Sequence, residues 1–166
     1  NKLIYKTNHE FNKLYNLLCS NLLREFGGNK AIQRQPTIRV YASSKYNDFC
    51  PNWHTDLSLG HPVGTLNIWI PLTDPHLDQF NGFNICEPDF SKKFYFDMRK
   101  QSTPYQFVEN QNIVKSDILM KNSTEVKASV GEALVFDSRC FHSAVPIKNH
   151  SRVSMDIRII DMEYLY

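Results

Sequence analysis

His54-Thr55-Asp56 sets an imidazole and a carboxylate two positions apart. On an extended segment such residues point to the same side, so the two groups converge on one point. They offer two of the three ligands of a 2-His-1-carboxylate facial triad. That arrangement holds Fe(II) on one face and leaves the opposite positions open for co-substrate and oxygen. The third ligand has to come from elsewhere in the chain. Val135-Phe136-Asp137-Ser138-Arg139-Cys140-Phe141-His142 is a good source, a hydrophobic strand preceded by Gly131 and ending in a histidine. An H-x-D tripeptide is common by chance, so the residues beyond His142 carry more weight.

Arg152, Ser154, Asp156 and Arg158 alternate there with Val153, Met155, Ile157 and Ile159. On a strand this gives one polar face and one apolar face. An arginine turned inward is costly to bury without an anion beside it. A dicarboxylic acid supplies that anion, because the planar guanidinium forks onto a carboxylate. Ser154, one step along the same face, can donate to the same group. The other reading is an exposed edge strand whose arginines meet water, with Asp156 as a local partner.

These residues need elements to position them. Thr7 and Glu10 form a capping-box pattern, and Phe11, Leu14, Leu18, Leu22 and Phe26 recur at helical steps up to Gly27-Gly28. The spacing predicts a helix over about 7–27 that packs on a sheet. From residue 36 the chain turns to short strand-like runs at Thr37–Tyr41, Thr65–Leu72, Glu132–Asp137 and Arg152–Ile160, punctuated by Pro and Gly. Many short strands without alternating long helices predict an antiparallel sandwich or barrel with a core over about 37–160. Residues 87–128, rich in Phe and Tyr among lysines, read as an ordered excursion between strands, either a lid over a pocket or a surface elaboration.

The bulk numbers fit one globular domain spanning 1–166. With 19 basic and 17 acidic residues the formal charge is +2, which gives no electrostatic reason to expect nucleic acid or an anionic membrane as partner. Cys19, Cys50, Cys86 and Cys140 lie far apart with no C-x-x-C pair, so a reducing cytoplasm is the expected compartment. No apolar run approaches the ~20 residues that span a bilayer, and no signal-peptide pattern is present.

Taken together, H-x-D, a distant histidine, an arginine ten residues beyond it and a serine two further on resemble the Fe(II)/2-oxoglutarate-dependent oxygenases. Within them the likeness is to the phytanoyl-CoA-hydroxylase-like group. Three stretches carry it: Trp53-His54-Thr55-Asp56, the strand Leu66–Leu72 running into Thr73-Asp74, and Gly131 through Arg158. Asn81-Gly82-Phe83-Asn84-Ile85 matches the asparagine–glycine turn by which that group often enters its next strand. The resemblance covers roughly residues 37–86 and 129–160. It implies a mainly β, double-stranded β-helix (jelly-roll, cupin-like) fold with the N-terminal helix as support. It further implies Fe(II) on His54, Asp56 and His142, and 2-oxoglutarate held at its distal carboxylate by Arg152 with Ser154 assisting. The implied reaction consumes O2, releases succinate and CO2, and hydroxylates a C–H bond; because the sequence shows no basic stripe or peptide groove, the expected substrate is a small molecule.

Departures from the group are informative. Cys86-Glu87-Pro88-Asp89 stands where the group shows a P-G-S-H-like turn, so the substrate contacts of that loop are not carried over. Halogenating relatives replace the carboxylate ligand with a small residue, and the presence of Asp56 argues against that chemistry. Arg152–Arg158 also resembles the R-x-N-x-x-x-R strand of the AlkB-like nucleic-acid demethylases. The 85 residues between Asp56 and His142 are long for those enzymes, and the charge lacks their footprint. Two further classes compete: a cupin-like metal protein or isomerase that does not use 2-oxoglutarate, and a binding jelly roll with coincidental spacing.

Secondary candidates sit on the same elements. Arg39 and Tyr41 share one face of their strand, with Tyr41 a cofactor candidate and Arg39 a substrate candidate, against ordinary packing or surface placement for both. Asn67 is a candidate cofactor contact, and Trp69 beside it reads as core. Tyr46 and Trp53 flank the H-x-D motif and are candidates for the pocket wall. Arg158 either reaches substrate or pairs with Asp156. Asp137 and Arg139 are either orienters of His142 or a local surface pair, and His9, His61, His76 and His150 read as surface residues.

Overall fold

A computed structural model describes residues 8–41, 53–73, 82–101, 116–145 and 151–164. In chain order the elements are helix α1 (His9–Phe26) and strands β1 (Lys30–Ile32), β2 (Thr37–Tyr41), β3 (Thr65–Pro71) and β4 (Gly82–Cys86). Helices α2 (Pro88–Gln101) and α3 (Ser116–Lys121) follow, then β5 (Ser123–Lys127), β6 (Leu134–Asp137), β7 (His142–Ala144) and β8 (Arg152–Asp161). The protein is mainly β, with antiparallel sheets and few helices.

The alternation in β8 organises the larger sheet. β8 pairs with β3 along one side and with β1 and β2 along the other, and β3 pairs onward with β6. Because every pairing is antiparallel and in register, the alternation in β8 is copied across the sheet: Ile68 lies opposite Ile157, and Asn67 opposite Arg158. The apolar face carries Ile68, Met155, Ile157 and Ile159 into a buried cluster with Tyr15 and Cys19 of α1. The polar face turns toward the smaller sheet, in which β4 pairs with β5 and β7. Trp69 packs edge-on against Phe83 at 5.6 Å between ring centroids, joining the two sheets with Phe136 and Ala128.

Helix α1 lies where the sequence predicts it, with two adjustments. Asn8 caps it, its side chain accepting from the Phe11 amide at 3.0 Å; Thr7 lies outside the described residues. Gly27, at φ +60, closes the other end with its amide on the Leu23 carbonyl. The buried stripe runs through Tyr15 and Cys19, whereas Leu14, expected on that face, is 60% exposed. Tyr15 turns inward because its ring packs on the sheet while its hydroxyl donates to the Gln33 carbonyl.

The 87–128 region is more regular than its sequence suggests. Pro88 opens α2 in a position where its missing amide costs nothing. Phe90, Phe94 and Tyr95 of α2 pack onto a cluster of Trp53, Cys86, Met98, Leu119 and Phe141. Ser123–Lys127 is a strand of the smaller sheet, not an excursion from it. Residues 102–115 lie outside the described residues. No described helix is long and apolar enough to cross a membrane.

The burial of Ile157, with 0% of its surface accessible, sets a test of α1 docking. Ile157→Ala should cost about 2–5 kcal/mol in urea unfolding, while Leu14→Ala on the exposed side should change stability by no more than about 0.5 kcal/mol. Equal effects would mean that α1 covers the sheet with its other face.

Candidate metal centre

Two chain segments meet at His54 and His142. Their backbones exchange both hydrogen bonds, His54 N to His142 O at 3.1 Å and His142 N to His54 O at 2.9 Å. This direct pairing brings the imidazole centroids to 4.3 Å. The next residues do not continue as the extended segment the H-x-D spacing suggests. At Asp56 the chain enters a short 3-10 turn over Leu57–Leu59. The amides of Asp56 and Leu57 both donate to the Ser138 carbonyl, at 2.9 and 3.3 Å, which fixes the carboxylate beneath the two imidazoles. Convergence therefore comes from cross-strand anchoring and not from strand alternation.

The two carboxylate oxygens of Asp56 have different surroundings. Oδ1 lies 3.7 Å from His54 Nε2 and 3.8 Å from His142 Nε2. Oδ2 accepts from Arg158 Nε at 3.1 Å and Nη2 at 2.9 Å. His142 Nδ1 is 3.0 Å from the Cys140 carbonyl. A carbonyl can only accept, so Nδ1 carries the proton and Nε2 keeps its lone pair turned inward. The phenyl groups of Phe136 and Phe83 stand 5.0 and 6.2 Å from the His142 ring. Behind this segment, burial pushes the Cys86 thiol up to about 12 and the Cys140 thiol up to about 11, so both stay protonated.

Burial drives the charges of the site apart from their ordinary values. Burial alone would push the Asp56 carboxyl up, but His142, Arg158 and His54 around it hold it below the usual carboxylate range. Burial pushes the His142 imidazole down to about 4, with His54 adding to the effect and Asp56 opposing it. A neutral His142 and an ionised Asp56 are the protonation states that metal ligation requires.

The donor set fits a divalent ion. His54, Asp56 and His142 each offer one ligand atom, and these atoms lie within 4.8 Å of one another. A first-row ion bonds such atoms at about 2.0–2.2 Å, so the three side chains would draw slightly together around an ion placed between them. Above the triad a cavity between the sheets is lined by Arg39, Tyr41, Asn67, Trp69, Phe83, Phe136, Arg152, Asp156 and Arg158, among others. Arg152, 5% exposed, donates from Nη1 to the Gly82 carbonyl at 2.8 Å and lies over the rings of Tyr41 and Trp69, at 4.8 and 5.9 Å. Buried Oδ1 of Asn67 and Oγ of Ser154 have no hydrogen-bond partner among the described residues. Buried polar atoms seek partners, and a polar ligand in this cavity would supply one to Asn67, which lines it.

Several sequence expectations change here. Trp53 is buried in the α2 cluster and does not line the cavity, because its large apolar ring packs better on Cys86, Met98 and Phe141. Ser154 is fully buried and lies off the cavity wall. Arg158 does not pair with Asp156; it turns to Asp56, and Asp156 is taken by Arg39 across the β2–β8 register. Asp137 and Arg139 form a local pair at 2.5 Å, with the arginine side chain 57% exposed. His61 is half-buried and its amide donates to the Asp56 carbonyl. Tyr46, His76 and His150 lie outside the described residues. Sequence reading missed the role of Gly82: a Cβ there would come within 1.8 Å of the Val126 carbonyl oxygen, so only glycine lets β4 approach β5 and aim its carbonyl at Arg152.

No family model matches the sequence, and no curated protein matches it. Solved structures do match in fold. The non-heme alpha ketoglutarate dependent carbocyclase SnoK from nogalamycin biosynthesis aligns over 93% of this chain and 76% of its own, with TM-score 0.53 and 14% identity. The non-heme monooxygenase ThoJ, as its nickel complex, aligns over 85% and 49% with TM-score 0.50 and 14% identity. EctD from S. alaskensis aligns over 83% and 47% with TM-score 0.50 and 12% identity. The chain thus spans about half the length of ThoJ and EctD. At these identities the likeness is one of fold.

Both shifted groups bind fewer protons in the folded chain than in the unfolded one: Asp56 is held below 3.8, and His142 falls from 6.5 to about 4. The contribution of His142 is complete above pH 6.5 and is lost as pH falls toward 4, whereas that of Asp56 is lost only below about 3.8. The slope reaches about 1.4 kcal/mol per pH unit for each proton taken up on unfolding. Urea unfolding of the metal-free chain between about pH 7.5 and pH 5 should show this decline, and His142→Gln should flatten it. A native profile that stays level to about pH 5 would contradict a buried neutral His142.

Proposed function

We propose that residues 1–166 form one double-stranded β-helix domain of a non-haem Fe(II)/2-oxoglutarate-dependent oxygenase that hydroxylates a small molecule. The observation that carries this reading is the triangle of His54 Nε2, Asp56 Oδ1 and His142 Nε2 at the floor of a cavity whose wall holds a buried arginine. The fold shared with SnoK and ThoJ supports it. The reaction balances as R–H, O2 and 2-oxoglutarate giving R–OH, succinate and CO2.

Each residue has work set by its placement. His54, Asp56 and His142 would hold Fe(II), with the second imidazole fixed in one tautomer by the Cys140 carbonyl. Arg152 would fork onto the distal carboxylate of 2-oxoglutarate, its guanidinium already oriented by the Gly82 carbonyl and the Tyr41 and Trp69 rings. The unpartnered Asn67 Oδ1 on the cavity wall would offer an acceptor to the same ligands. Phe83 and Phe136 exclude water beside His142. Bound iron and 2-oxoglutarate together supply the oxidising power that cleaves a C–H bond, which no side chain here provides. Arg39 and Asp156, paired on the cavity wall, would meet the polar groups of the substrate.

Succinate release from 2-oxoglutarate, measured with Fe(II) and oxygen, tests the reading without a known substrate. The native chain should release succinate slowly. Arg152→Ala should raise the KM for 2-oxoglutarate about ten- to hundredfold, the loss of a charge-assisted hydrogen-bonded pair. Stoichiometric metal without succinate, and indifference to Arg152→Ala, would favour a cupin-like metal protein instead.

A further inference from the structure

We infer that Arg158 is the positioning residue that makes Asp56 a one-oxygen metal ligand. This rests on the metal reading above and adds to it a residue outside the ligand set. A carboxylate can bind an ion through one oxygen or through both. Asp56 presents Oδ1 to the two imidazoles, while Oδ2 is taken by both Nε and Nη2 of Arg158, at 3.1 and 2.9 Å. Both donors fall on a single oxygen, so the guanidinium does not share itself between the two. The second oxygen is thereby withdrawn from the metal side.

The clamp is rigid at both ends. Arg158 projects from the middle of β8, whose backbone is paired on both sides: its register partner on β3 is Asn67, and its carbonyl accepts from Gln33. Its side chain is 16% exposed and that of Asp56 is 3% exposed, so little water competes for the pair. Asp56 itself is pinned through its amide to Ser138. Swinging Oδ2 onto the metal would break two charge-assisted hydrogen bonds and strand a half-buried guanidinium.

The count of coordination positions gives this its consequence. A six-coordinate ion held by three protein atoms keeps three positions free on one face. With both Asp56 oxygens bound it keeps two, one fewer than a two-point chelating acid and a further ligand need. Arg158 therefore keeps the third position available.

Co(II), titrated alone into the intact chain, is the probe, because its visible d–d spectrum reports coordination number and needs no turnover. Arg158→Gln should weaken Co(II) binding about 10–100-fold and change the intensity of the d–d bands. The spectral change that 2-oxoglutarate then produces should differ from the native one, because the acid would fill the last two free positions. Arg158→Lys, which keeps the charge but not the fork, should fall between the two. Arg139→Gln, at the exposed Asp137 pair, should behave as native. Circular dichroism checks folding, and the lysine variant carries the test if the glutamine variant unfolds. A folded Arg158→Gln or Arg158→Lys chain with native Co(II) affinity and spectrum overturns the inference while leaving the metal site standing. A native chain that binds no Co(II) overturns the metal reading and this inference with it.

Discussion

A carboxylate with only 3% of its side chain open to solvent, as in Asp56, has given up most of its hydration. Such a loss costs several kcal/mol unless opposite charge and hydrogen bonds replace the water. Here the replacement comes from three directions at once: Arg158 from β8, His142 from β7 and His54 from the segment before the turn. None of these neighbours works alone. Neutral imidazoles do not balance the charge, and the single arginine satisfies only one oxygen. The other oxygen faces the two imidazole Nε2 atoms, where a cation would complete the balance. The fold holds a negative charge and two ring nitrogens together, and a positive ion between them would make the arrangement more favourable.

Delivering those groups requires the two sheets to be set accurately. β8 serves both purposes because it alternates: one face seals against α1 through Met155, Ile157 and Ile159, and the other carries Arg152, Asp156 and Arg158 into the cavity. Antiparallel pairing on both sides of β8 leaves no freedom of register, since a slip of one residue would turn the arginines onto α1. β4 and β7 close the opposite wall, and the pairing of Ile85 with His142 sets the height of the imidazole above Asp56. The α2 cluster behind Phe141 and Trp53 then holds that segment from outside. Ligand geometry is therefore a property of strand pairing, with α1 and α2 acting as the two outer supports.

Legibility in the sequence depends on how local each signal is. The two faces of β8 are written in a ten-residue alternation, and the core, the cavity face and the inward arginine can all be read from it. His54, Asp56 and His142 announce themselves by residue type. The partner of Arg158 could not be read, because Asp56 lies 102 positions away and only the folded register decides between it and Asp156. Strands β1, β4, β5 and β7 are short, and Ser123–Lys127 is largely polar and exposed, so they carry little period. In α2 the aromatic residues stand at helical spacing, but interleaved lysines masked the stripe that packs on Phe141. Leu14 and Tyr15 were distinguished by a hydrogen bond to Gln33 that no helical period encodes.

Anaerobic addition of Fe(II) and then 2-oxoglutarate to the metal-free chain asks whether the triad and Arg152 form one iron and co-substrate site. Chelation of the acid to iron on a facial triad gives a visible metal-to-ligand charge-transfer band. That band is expected in the native chain, weaker at equal 2-oxoglutarate in Arg152→Ala, and absent in Asp56→Ala. Iron bound at one equivalent with no band, or a band that survives Asp56→Ala, would refute the assignment.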